Sequence, residues 1–191
     1  MNFLQQQMTR LLEAEPVIAA VKNEDQLEAA VKSDCRIVFL LCGDLCSIPS
    51  LVERVKSAGK LALVHIDLVA GLSAHEAAVR FLKQGTAADG IISTKAQMIK
   101  AARENDMIAV QRFFVLDSLA LANITRQAGA APADVIEVLP AVSPRIIARI
   151  AKTSPVPVIV GGLIDEKEDV IQMLAAGAIA ISSTSPAIWS V

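Results

Sequence analysis

The sequence predicts one α/β domain, a compact TIM (β/α)8 barrel with short loops and a short N-terminal helix. Apolar runs begin at Val17, Ile37, Leu61, Gly90, Met107, Val135, Val156 and Ala178, and helically periodic segments separate them. The runs are apolar throughout rather than alternating, as strands buried on both faces require. The hydrophobic fraction is 53% against an aromatic fraction of 3%, so aliphatic side chains must build the interior.

Residues 1–191 read as a single domain, with 1–15 as the leading helix. Leu4, Met8, Leu11 and Leu12 have helical spacing. This helix, Met1 to Leu12, is either a subunit contact in a homo-oligomer or a plug under the barrel. It lacks a basic start followed by an apolar stretch, so it does not read as a signal peptide. Ile48, Leu51, Val52 and Val55 lie on one helical face, as do Ala74, Ala77, Ala78 and Phe81. Ser73 with Glu76 and Thr94 with Gln97 read as capping boxes, and Asp165 with Glu168 is a close variant. Ser143-Pro144 reads as an N-cap followed by proline at the first helical position. Gly59, Gly85, Gly129 and Gly177 each stand where a helix should end before the next strand. Eight units leave roughly 24 residues each, which leaves no room for a large lid in a fold more often near ~250 residues. A doubly wound open sheet would carry a glycine-rich turn after its first strand. Here Val17 to Val21 runs into Lys22-Asn23-Glu24 instead.

Formal net charge is −2, so no global basic field exists and any nucleic-acid contact must use a local patch. No apolar run approaches the length of a membrane span. Cys35, Cys42 and Cys46 are an odd, small set, read most simply as free thiols in a reducing cytoplasm. Cys42 and Cys46 with His65 are incomplete as a structural zinc site, and no metal or cofactor is expected.

Function in a barrel collects at the C-terminal ends of the strands. Val158-Ile159-Val160 ends in Gly161-Gly162, and the last strand ends in Ser182-Ser183-Thr184-Ser185-Pro186. Glycine lets a backbone approach a ligand, and Ser185-Pro186 reads as the start of a helix. Together these turns suggest a phosphate cradle at strands seven and eight. Other strand ends carry His65 and Asp67, which share a face, then Lys95, Gln111 and Glu137. His65 and Asp67 either satisfy each other or face a ligand. Lys95 is either an exposed helix-start lysine, a neutraliser of phosphate charge or a Schiff-base amine. Glu137, charged in the middle of an apolar run, must be paired or face a polar mouth. The mixture suits a small hydroxylated phosphate ester.

These residues carry a family resemblance. Val64-His65-Ile66-Asp67-Leu68, Asp89 to Lys95, Gln111-Arg112-Phe113, Leu116-Asp117-Ser118, Ile136 to Pro140, Gly161 to Ile164 and Ala178 to Ser185 resemble the glycerol-3-phosphate-responsive antiterminators. The resemblance runs from about Pro16 to Trp189. It implies a TIM barrel that binds glycerol 3-phosphate, needs no cofactor, and acts on the leader mRNA of glycerol-uptake operons. The ligand-site positions it implies are His65, Asp67, Lys95, Gln111, Glu137, Gly161, Gly162 and Ser182 to Thr184. In the implied mechanism backbone N–H groups at Gly162 and Ser183-Thr184 hold the phosphate, and Lys95 adds charge. Glu137, Asp67 and Gln111 take the hydroxyls. The chain departs from the family pattern at Ala70, Ala141 and Arg145.

The residues themselves offer one RNA candidate. Arg145, Arg149 and Lys152 form a stripe on one helix face, which is either an RNA contact or simply solvated. No aromatics interleave with it, and Phe113 and Phe114 are expected in a buried strand. The rival to a regulator is a barrel enzyme acting on a phosphorylated polyol or sugar, with Glu137 or Asp67 as base.

Overall fold

The computed structural model describes residues 3–130, 133–141 and 143–190. Eight parallel strands close into a barrel in sequence order. They are β1 (Val17–Val21), β2 (Ile37–Leu40), β3 (Leu61–His65), β4 (Gly90–Ser93), β5 (Ile108–Phe114), β6 (Val135–Leu139), β7 (Val158–Gly161) and β8 (Ala180–Ser183). Helix α1 (Phe3–Ala14) precedes the barrel. Helices α2 (Glu24–Lys32), α3 (Ile48–Ser57), α4 (Glu76–Gly85), α5 (Ala96–Glu104), α6 (Ser118–Ala130), α7 (Pro144–Thr153) and α8 (Lys167–Ala175) follow β1 to β7.

Alternation along the strands divides the core in two. Ile18, Phe39, Leu63, Ile92, Val110 and Ile159 point into the barrel. Their neighbours Ala19, Val38, Val64, Ile91, Ala109 and Val160 pack outward against Leu27, Val52, Leu82 and other helix residues. Met8 and Leu12 of α1 belong to the inner cluster, each 1% exposed. The leading helix is therefore a plug that closes the N-terminal end of the barrel. The side chain of Leu4 lies outside the described ones.

Ile48, Leu51, Val52 and Val55 face the core as their spacing predicts. Ser143 caps α7, accepting a hydrogen bond from the Ile146 N–H, with Pro144 at the first position. Several local expectations are corrected. Helix α4 is capped by His75, whose Nδ1 accepts from the Ala77 N–H, and it buries Ala78, Val79 and Leu82. The Ser73 box and the Ala74–Ala77 face do not form. Gln97 donates to the Ala74 carbonyl instead of capping α5. The box on α8 uses Glu166 and Asp169, one residue beyond the expected pair. Gly59 and Gly177 take left-handed conformations after α3 and α8, whereas α6 runs through Gly129.

The largest correction is after β8. The expected eighth helix is only a 3-10 turn, Pro186–Ile188, and Ser185 makes no side-chain cap. Trp189 closes this seam: its Nε1–H donates to the Ser183 carbonyl, and its own carbonyl accepts from the Cys35 thiol. Among the described residues, no helix is long and apolar enough to cross a membrane.

Candidate functional site

Above the inner apolar layer, the same alternation places His65, Arg112, Glu137, Gly161 and Ser182 inside the barrel at its C-terminal end. Glu137 is completely buried, and both its oxygens are taken. The Arg112 Nε–H donates to Oε2 at 2.6 Å, and the Ser182 hydroxyl donates to Oε1 at 2.6 Å. The register already pairs Arg112 with Glu137 on adjacent strands. Gly161 is required beside them, because a Cβ there would collide with the Ser182 hydroxyl and lie 3.2 Å from Glu137 Oε1. The Nη groups of Arg112 have no protein partner among the described residues. Arg112 is 6% exposed, and what it exposes lines a mouth cavity of about 690 Å³.

The wall of that cavity joins Gly162 and Ser182 to Thr184 with Arg112 and Lys22. Gly162 has φ 74°, and its carbonyl accepts from the Ala141 N–H. Gln26 stitches the two sides of the β8–β1 seam: its Nε2 donates to the Thr184 carbonyl, and its Oε1 accepts from the Lys22 N–H. The Ser183 hydroxyl is turned away, donating to the Ile164 carbonyl. The cavity wall therefore carries two cations, Arg112 and Lys22, but among the described residues no α-helix starts behind β8 to add a dipole.

The remaining expected ligand residues stand elsewhere. Asp67 accepts from the Ser93 and Thr94 hydroxyls and the Thr94 N–H, and it pairs with Lys95 at 3.6 Å. Burial would raise its carboxyl, but these donors hold it below the usual range. Lys95 follows β4, four strands round the barrel from β8, and is not on the cavity wall. Gln111 lies between Val110 and Arg112, so it points outward with Ala109 into the helix layer. It is fully buried there, with neither amide atom bonded. Glu137, Asp67 and Gln111 thus do not offer free groups to a ligand in the mouth. Glu137 instead holds the Arg112 guanidinium through Nε. Cys42, Cys46 and His65 form no metal-ligating cluster among the described residues.

Arg112 and Lys22 were not singled out from sequence. The signal for Arg112 was present: a buried Glu137 needs a cation, and Arg112 stands on the preceding strand.

His65 is 3% exposed, and its Nδ1 is buried without a partner. It does not pair with Asp67. Burial pushes its pKa down to about 4; the Arg112 charge adds to the shift and Asp67 opposes it. A folded pKa below the unfolded ~6.5 means the unfolded chain takes up the proton first. Stability is therefore full above pH ~6.5 and falls as the pH drops towards 4, by roughly 3 kcal/mol from this group. Urea unfolding at pH 7 and pH 4.5 should show that loss in the wild type and a smaller one in His65→Gln. Equal losses would remove His65 as the cause.

On the outer surface, Arg145, Arg149 and Lys152 are exposed on α7, opposite buried Ile147 and Ile150. None forms an ion pair among the described residues. Phe113 is buried, but Phe114 is 47% exposed at the rim, contrary to expectation.

Fold and mouth define a (β/α)8 barrel with a cationic, glycine-bordered cavity at strands seven and eight. The family model described as glycerol-3-phosphate responsive antiterminator matches residues 17–189, and the chain belongs to that family. The glycerol uptake operon antiterminator regulatory protein of Listeria monocytogenes str. 4b F2365 superposes with TM-score 0.87 at 33% identity, over 92% of this chain and 95% of that one. A glycerol uptake operon antiterminator-related protein of Thermotoga maritima MSB8 gives 0.81 at 34% identity, over 92% and 98%. The Escherichia coli (strain K12) uncharacterized protein YgcP is 40% identical over 183 residues, 96% of each chain. This is a family of regulators rather than enzymes. An aldolase and a phosphonomutase-like barrel align at 13% and 18% identity, a likeness of fold alone.

Proposed function

We propose that the chain is a cytoplasmic transcription antiterminator that binds glycerol 3-phosphate at the barrel mouth and acts on leader mRNA of glycerol-metabolism operons. The observation that carries the ligand half is Arg112. Its guanidinium is held by Glu137, its Nη groups have no partner among the described residues, and it lines the same cavity as Gly162 and Thr184. A guanidinium with free N–H groups suits a phosphate oxygen pair. Backbone N–H groups of the Gly162 and Ser183-Thr184 turns add donors, and Lys22 takes the charge role first given to Lys95. Ligand binding favours the RNA-competent state through its differential affinity for the two states. The RNA half rests on the family and on the stripe Arg145, Arg149 and Lys152, which has no ion-pair partner among the described residues.

Calorimetry tests the ligand half. Arg112→Gln is expected to lower glycerol 3-phosphate affinity about 10- to 100-fold, the worth of a charged bidentate contact. Unchanged affinity would remove Arg112 from the site. Ligand-stimulated, salt-dependent binding to a leader RNA tests the other half, and no RNA binding at low salt would sink it.

A further inference from the structure

Charge is unevenly shared around the ring of helices. Helices α1, α2, α3, α4, α5 and α8 each carry at least one Asp or Glu. Helices α6 and α7 carry Arg126, Arg145, Arg149 and Lys152 and no carboxylate between them. In a chain of net charge −2, this gathers positive potential on one side of the barrel. All four side chains are exposed, and none has an ion-pair partner among the described residues.

The two helices meet in a cleft of about 170 Å³, with Ser118 and Ala122 of α6 on its wall beside Arg149 and Thr153 of α7. Leu119, Ala122 and Arg126 stand at i, i+3 and i+7, so they form one exposed stripe on α6. Ala122 and Arg149, sharing the cleft, join it to the stripe Arg145, Arg149 and Lys152.

The chain that enters α6 supplies a second, independent observation. Phe114, Leu116 and Leu119 are 47%, 83% and 68% exposed. The carboxylate in this segment, Asp117, is used locally and accepts from the Ala120 N–H. Exposed apolar side chains beside unpaired cations suit a polyanion with flat apolar faces of its own. A second copy of this chain docked by the same face would set cations against cations.

We propose that the α6–α7 face, with the turn that enters α6, binds an unpaired stretch of RNA. Its phosphates follow Arg145, Arg149 and Lys152, with Arg126 on the other helix, and its bases lie on Phe114, Leu116 and Leu119. This rests on the RNA reading above and gives it a surface and a strand form. Strand β5 carries both Arg112 and Phe114, so the ligand cation and the first base contact share one element.

Fluorescence anisotropy of a labelled single-stranded oligouridylate, about twelve nucleotides long, tests it on the full chain with saturating glycerol 3-phosphate. Log affinity against log salt should have a slope of about −3, as four phosphate contacts to a single strand require. Arg149→Gln should bring that slope about 0.7 nearer zero. Lys100→Gln on α5, where Lys100 pairs with Glu104, should leave it unchanged. Phe114→Ala should weaken binding about fivefold or more at an unchanged slope, the loss of one stacked base. Leu116→Ser, at a side chain that packs on little, repeats this test should Phe114→Ala unfold the chain.

No oligouridylate binding at low salt would overturn the proposal. So would equal binding of a duplex of the same length, a slope indifferent to Arg149→Gln, or wild-type affinity in both Phe114→Ala and Leu116→Ser. Polyglutamate competing as well as the RNA would reassign the face to an acidic protein. A sedimentation mass that falls in Leu119→Lys would reassign it to a second copy. In each case leader RNA that still binds leaves the RNA reading standing on another surface, whereas no binding of leader RNA at low salt overturns both.

Discussion

Glu137→Ala is expected to cost about 3–5 kcal/mol of folding stability, the penalty for breaking a buried ion pair from one side. The substitution leaves the Arg112 guanidinium, 6% exposed, without its counter-charge, and the Ser182 hydroxyl without its acceptor. Burying a charge unpaired costs far more than the pair gains by forming. The double variant Arg112→Met, Glu137→Leu should therefore recover much of the loss, because nothing charged remains inside. It should also lose anion binding, which the cradle reading assigns to Arg112. Denaturant unfolding measures all three proteins. A loss below about 1 kcal/mol for Glu137→Ala would mean that Arg112 escapes to water through the mouth, and that Glu137 does not hold it.

Leu12→Ala should cost about 2–5 kcal/mol, as for other leucines truncated in packed cores. Leu12 and Met8 are each 1% exposed beneath Ile18, Phe39 and Leu63, so truncation opens a void at the barrel floor. A plug predicts lost stability with unchanged molecular mass by sedimentation. A subunit contact predicts the reverse, a changed mass with stability nearly intact.

The barrel was legible because period and punctuation agree along the chain. β1, β2, β3, β4 and β6 begin at the predicted Val17, Ile37, Leu61, Gly90 and Val135. β7 begins at Val158 rather than Val156, since Pro157 has no N–H for the ladder, although its carbonyl accepts from the Ile136 N–H. The Thr94 box failed because tertiary contacts chose other partners: Asp67 takes the Thr94 hydroxyl, and Gln97 reaches the Ala74 carbonyl. The Ser73 box failed locally, because α4 begins at Glu76 and His75 caps it.

That Gly162 and Ser182 to Thr184 share one wall of the mouth was legible for the same reason, since glycine and hydroxyl residues ended two adjacent runs. Which side chains face it was not. A strand buried on both faces carries no hydrophobic alternation, so Gln111 and Arg112 look equally able to point inward. One residue of phase separates an amide buried behind the sheet from a guanidinium inside the mouth. The place of Lys95 was hidden for a different reason. Strand order places it four strands from β8, a distance that only the closed barrel makes explicit.

The reduced end of the chain has a practical side. The sequence contains one tryptophan and no tyrosine, and that tryptophan is bonded through Nε1 to the carbonyl of Ser183. Tryptophan emission from this protein therefore originates at a single spot, one hydrogen bond behind Ser183 at the end of β8. A fluorimeter pointed at the unlabelled chain watches the β8 turn alone.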